Sequence, residues 1–183
     1  MSFTDHLERT WPDSTHDDFV PARAGVEELM PGFRVRRISP EASGTPWVYA
    51  TCGAALAVSE REGGAEYVVL APAKDQVLVE MLAALAIVNA DPAQRLGVGS
   101  IIALGRPWIA DATADHLLVL PPYPIGQGFE VYESDERRIV VLWLVPITAG
   151  EAQFVRSRGF EAFETLLQQR EVNVADPARA SVA

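Results

Sequence analysis

Asp115 and His116 stand side by side, and Asp111 lies four residues upstream. A carboxylate that holds one imidazole nitrogen leaves the other free to take a proton, so this trio has the composition of a general base with its orienter. Such a pair also needs a nucleophile or a substrate-binding group within reach. The surrounding stretch, "TADHLLVLPPYP" (113–124), supplies none. The competing reading makes His116 a strand-entry residue that hydrogen-bonds the preceding loop. We take the second as the expectation and keep a hydrolase-type enzyme using His116 with Asp111 or Asp115 as the alternative.

The other reactive groups are sparse. Cys52, the single cysteine, sits in the apolar run "WVYATCGAALAV" (47–58), where a free thiol is usually a small buried hydrophobe, and it excludes an internal disulfide. There is no Gly-x-Ser-x-Gly elbow; Ser100 in "GVGSII" lacks the second glycine. Gly97, Gly99 and Gly105 have neither phosphate-loop spacing nor a strand-then-helix context. His16, inside "DSTHDD", and His6 lie in an acidic segment that reads as solvated rather than chelating. No catalytic residue, metal or cofactor is expected.

Binding is the remaining class of chemistry. Trp47, Trp108 and Trp143 fall in or beside apolar runs and read as core. Trp108 precedes a polar loop and is expected to be the most exposed of them; Tyr123, flanked by prolines, is similar. Exposed aromatics on stiff loops anchor protein interfaces. The candidate binding residues are therefore Trp108, Asp111, Asp115, His116 and Tyr123, together with Asp13, Asp17 and Asp18 of the acidic segment, where Glu27 and Glu28 add charge.

The bulk composition agrees. A net charge of −10 with no basic cluster disfavours nucleic acid and would steer a basic protein partner. Hydrophobic content of 49% over 183 residues suits one packed domain. The N-terminus has no basic-then-apolar leader and no window is long and apolar enough to span a bilayer, so a cytoplasmic protein without membrane contact is expected. Homo-oligomerisation is left open.

The elements that must position these residues read as an α+β domain. Residues 1–32 form an acidic arm with a short helix capped by Ser2; they hold seven carboxylates and two arginines up to residue 30. Strands are expected at 33–38, at 47–58 (loosening at Gly53), at 66–72 after the turn "SEREGG", at 100–104 and 117–120, within 129–133, and at 139–145, the last covered on both faces. The stretch 75–89 is a buried helix with Asp75 as its N-cap. Thr148 and Glu151 make a capping box that opens C-terminal helices over 149–169, interrupted at Gly159. The tail beyond is extended and mostly polar. The sum is a mixed, largely antiparallel sheet packed with one buried helix and C-terminal helices.

The order of motifs resembles the Suppressor of fused domain family, in its stand-alone bacterial form. The resemblance rests on "VYATCGAA" (48–55), "EYVVLAPA" with the helix after it, "GVGSIIALGRPW" (97–108), "DHLLVLPPYP" (115–124), "VVLWLVPITAGEAQF" (140–154) and the tail "DPARASV" (176–182). It covers the chain from about residue 45; the first forty residues carry little of it, and Cys52 departs from the pattern. The resemblance implies a sandwich-like domain at 33–183 with no catalytic role. It also implies a protein partner, for bacterial members a toxin encoded nearby that the domain binds and blocks. At 183 residues the chain has no room for the second domain of the animal relatives, so their interdomain cleft is not carried over.

Overall fold

The structure is a computed structural model that describes residues 2–58, 64–126, 128–133 and 138–183; most of the turn "SEREGG" lies outside them. Its centre follows from one strand. In β8 (Arg138–Ile147) successive side chains point to opposite faces, and both faces are apolar. Leu142 and Leu144 enter one core; Val141, Trp143, Val145 and Ile147 enter the other. Such a strand must be covered on both sides, as expected from the sequence.

Around β8 lies an eight-stranded sheet, built with β1 (His16–Phe19), β2 (Arg34–Ile38), β3 (Trp47–Cys52), β4 (Gly64–Ala71), β5 (Ile101–Ala103), β6 (His116–Leu120) and β7 (Val131–Glu133). The order is β1-β2-β3-β4-β8-β6-β5, with β7 also on β8. Among the described residues only β4 and β8 pair in parallel. The fold is α+β with a largely antiparallel sheet.

Helix α3 (Val77–Ala90) covers one face, with α2 (Val26–Leu29) beside it; α1 (Phe3–Thr10), α4 (Ala149–Arg158) and α5 (Phe160–Gln169) lie on the other. Helix α3 starts two residues later than expected. Asp75 still serves its first turn, since Asp75 Oδ1 accepts the Val77 N–H at 2.9 Å. Gly159, at φ 88°, separates α4 from α5 as expected. Gly53, at φ 110°, ends β3 and opens a 3-10 turn, so the expected strand stops at Cys52.

The acidic segment is more regular than an arm. Strand β1 pairs antiparallel with β2 from His16↔Ile38 to Phe19↔Val35. Asp17 bonds Arg37 at 2.7 Å; Asp18 takes Arg36 in two bonds of 2.7 and 2.9 Å and meets Arg34 at 3.1 Å; Glu8 reaches Arg36 at 2.8 Å. The alternating basic residues of β2 are the receptor for these carboxylates.

The tail is not a solvated extension either. Ala175, Arg179 and Val182 are buried. The cause is Glu151, itself fully buried. Arg179 donates to Glu151 Oε1 at 2.6 Å and Oε2 at 2.7 Å, and to the Pro146 carbonyl at 2.9 Å. The Val182 and Thr148 amides complete the carboxylate at 3.0 and 2.8 Å. The expected capping box is thus half of a clamp on the chain terminus.

A second buried carboxylate, Glu66, holds the β3–β4 corner. It accepts the Thr51 hydroxyl at 2.6 Å and the amides of Gly53, Ala54 and Ala55 at 2.8, 3.3 and 3.2 Å. Burial nevertheless outweighs these donors and pushes its carboxyl up to about 7.

Two stability measurements follow. Glu151→Ala strands a buried guanidinium and is expected to cost roughly 3–5 kcal/mol in urea unfolding, while the paired change Glu151→Leu with Arg179→Met recovers most of that. In the wild type, burial raises the Glu151 carboxyl but the Arg179 guanidinium and the Thr148 and Val182 amides bring it below its ordinary value, so its contribution is complete above the unfolded carboxyl range and lost as pH falls. Glu66 acts with the opposite sign. The folded state holds its proton more tightly than the unfolded chain, so that contribution is complete below the ordinary 4.5 and lost as pH rises through about 7. The expected outcome is a stability maximum on the acid side of neutral, with a decline of about 3 kcal/mol towards pH 7 that Glu66→Gln removes.

Candidate functional site

The Asp115–His116 pair forms as a hydrogen bond of 2.7 Å between Oδ1 and Nδ1, with the imidazole 14% and the carboxylate 42% exposed. Both residues belong to the sheet. His116 pairs with Ile147 and Ala103, the Asp115 amide donates to the Ile147 carbonyl at 3.2 Å, and the Leu104 amide donates to the Asp115 carbonyl at 2.9 Å. Asp111 is exposed on the loop before, in a left-handed conformation at φ 60°.

Neither Ser100 nor Cys52 joins the pair. Ser100 Oγ accepts the Gly97 amide at 3.0 Å and closes the glycine loop. Cys52 is buried in β3, with β4 and β8 between it and β6. Three strand spacings amount to roughly 14 Å. Burial also pushes the Cys52 thiol far up, against thiolate chemistry. Among the described residues no group of three or more His, Cys, Asp or Glu could hold a metal ion. In "DSTHDD" Asp17 and Asp18 are turned to arginines, and His16 Nε2 lies 2.9 Å from the Trp11 carbonyl.

Trp108, expected to be partly exposed, is instead 1% exposed and belongs to the α3-side core. Its loop is stitched to the tail. The Thr113 amide donates to the Pro177 carbonyl at 3.1 Å and the Thr113 hydroxyl to the Arg179 carbonyl at 2.9 Å. Sequence reasoning missed this because the partners lie some sixty residues apart. Asp13 is exposed, while Asp17 and Asp18 are engaged by β2. Tyr123 is 56% exposed at the start of a 3-10 turn, Tyr123–Ile125.

Tyr123 marks a surface the sequence did not disclose. Leu70 of β4, Trp143 of β8 and Leu120 of β6 stand on three adjacent strands and face the same layer. They floor a cleft of about 430 Å³ whose rim carries Tyr123, Glu164, Gln168 and Glu171. A hollow of about 310 Å³ continues from it, sharing Pro46, Leu70 and Pro124. Another of about 390 Å³ shares Pro46, Asn173 and Ala175. The three form one trough around Pro46. Among the described residues its lining holds three carboxylates, Glu41, Glu164 and Glu171, and no lysine, arginine or histidine.

Two polar atoms here have no hydrogen-bond partner: Trp143 Nε1, on a side chain 94% buried by its 6% exposure, and Glu164 Oε1. Burial and the neighbouring Glu161 push the Glu164 carboxyl up; a bond to Tyr123 works the other way. Glu171 ends the helix at φ 50°, where glycine is usual. That conformation costs a non-glycine residue roughly 1–2 kcal/mol, and it lets the Val172 amide reach back to the Leu167 carbonyl at 3.1 Å. The signal lies in the sequence: Glu161, Glu164, Gln168 and Glu171 share one helical stripe, which flanks the apolar stripe of Phe160, Phe163, Leu166 and Leu167. An apolar floor with a carboxylate rim is the chemistry of a binding surface. His116 and Asp115 line none of the three hollows.

Comparison with known proteins came to one family. The family model described as Suppressor of fused protein (SUFU) matches residues 33–180. A solved structure of a putative SUFU homolog from Neisseria gonorrhoeae is 28% identical, covers 98% of this chain and 94% of its own, and superposes with a TM-score of 0.85. A Sufu–Fu complex (14% identical, 98% and 90% covered, TM-score 0.71) and Drosophila Suppressor of Fused (12%, 99% and 50%, TM-score 0.72) share the fold; the chain spans half the length of the latter. A 67-residue stretch, 37% of this chain, is 27% identical to immunity protein YqcF of Bacillus subtilis, and spans only 35% of that relative's length.

Floor and rim should respond differently to truncation. Trp143→Ala is expected to cost roughly 3–5 kcal/mol in urea unfolding, whereas Tyr123→Ala changes stability by about 0.5 kcal/mol or less. Equal losses would mean that Tyr123 is core rather than rim.

Proposed function

The chain belongs to the Suppressor of fused family, and from that premise we propose that it is a non-catalytic protein-binding module serving as an immunity protein. It acts in the cytoplasm by binding and neutralising a toxin encoded beside it. The observation that carries this reading is the stretch similar to immunity protein YqcF, set within a family match that spans most of the chain. One of the structural relatives is recorded in complex with a protein, Fu, which supports a protein as the partner class. The formal charge of −10 supports a basic toxin, whose approach such a field accelerates at low salt. The enzyme alternative at His116 has one oriented imidazole in its favour and no adjoining hollow among those described.

Co-expression with the product of the adjacent gene tests the proposal. The expected outcome is a stoichiometric complex with Kd of about 1 nM or tighter, association that slows as ionic strength rises, and restored growth of cells making the toxin. A neighbour that is no toxin, or a toxin neither bound nor silenced, overturns the immunity reading.

A further inference from the structure

We propose that the trough around Pro46 is the docking site for an extended, cationic segment of the protein partner, with one apolar side chain seated on Trp143 and Leu120. The inference rests on the protein-binding reading and adds to it a surface and the chemistry of what fills it.

Three features select this occupant. The first is shape. The hollows of about 430, 390 and 310 Å³ meet at Pro46 rather than merging into one chamber, so they suit a chain laid along them better than a compact molecule. The second is charge. Several acidic groups outside the trough are already met: Asp17 and Asp18 by the arginines of β2, Glu151 by Arg179, and Asp115 by His116. In the trough Glu41, Glu164 and Glu171 face no cation among the described lining residues, so lysine or arginine of a partner supplies the countercharge. The third is the unmet polar pair. Trp143 Nε1 and Glu164 Oε1 are both shut off from solvent without a partner, so a carbonyl of an entering backbone and an entering ammonium or guanidinium satisfy them as the two side chains adjust on binding. Around them the apolar floor of Leu70, Leu120 and Trp143 and the exposed ring of Tyr123 give the contact that anchors an interface.

The competing surfaces are weaker. Trp108 is buried, and β1 spends its carboxylates inside the sheet. Of the eight residues that the sequence nominated for binding, Tyr123 alone lines the trough.

The test uses the full chain and a fluorescein-labelled peptide with Arg-Lys pairs flanking a Leu-Trp-Leu centre. Its counterpart carries Glu in place of every cation. Anisotropy titration is expected to show saturable binding of the cationic peptide only. Charge reversal by Glu164→Lys with Glu171→Lys, both on the rim and checked for an unchanged circular dichroism spectrum, is expected to weaken it by about tenfold or more. In nitrogen–proton spectra the Trp143 indole N–H resonance is expected to shift on binding. Failure of the cationic peptide to bind, equal binding of the two peptides, equal affinity of wild type and the reversed variant, or an unmoved Trp143 resonance overturns the proposal. So does light scattering that shows a dimer abolished by the same variant, which would make the trough a self-interface. With the toxin in hand, a complex that ignores charge reversal sinks the trough and leaves the immunity reading intact. Peptide binding that depends on the trough, without a toxin complex, does the reverse.

Discussion

One buried carboxylate fixes how the second layer of this protein is assembled. Glu151 cannot be exposed, because it sits at the first turn of α4 where that helix meets the end of β8. It cannot be left bare either, since an unpaired charge in that position is far costlier than any single apolar contact returns. Arg179 is the answer, and bringing it there drags the whole terminal segment across the sheet. The same guanidinium holds the Pro146 carbonyl, and the backbone on either side of it holds Thr113. Thus β8, α4, the loop before β6 and the tail are tied at a single point. The Asn173–Ala175 wall of the trough is part of that returning segment.

The parts of the fold that were readable in the sequence are those governed by near neighbours. Helix α3 announces itself through an apolar run with Asp75 before it and Asp91 after it. The Thr148–Glu151 box and the Gly159 break are signals only a few residues long. What escaped detection depends on partners distant in sequence. The alternation of apolar and basic residues over 33–38 looks like a half-solvated strand until β1 is laid beside it. Trp108 follows Arg106 and Pro107 and precedes a polar loop, so it reads as accessible; it is buried in the core on the α3 side. The trough is further still from legible, because its floor comes from three strands and its rim from a helix end, none of which is contiguous.

The place of His116 is set by its backbone. Asp115 and His116 are both engaged in ladders with β5 and β8, which leaves the side-chain bond to settle the imidazole at the strand's entrance. Acidity, too, changes meaning once the chain is folded. Glu8, Asp17, Asp18 and Glu151 are spent internally, on β2 and Arg179, whereas Glu41, Glu164 and Glu171 gain significance from where they lie.

The parallel pairing of β4 with β8 has a consequence for biogenesis. Strands β1 to β4 follow one another and can zip together as soon as they leave the ribosome, but the outer edge of β4 must wait for Gly64 to find Ile139. During that interval Tyr67, Val68, Val69 and Leu70 present an open apolar edge, a ready template for another chain. The same sheet that is inert when complete is therefore most prone to aggregate half-made.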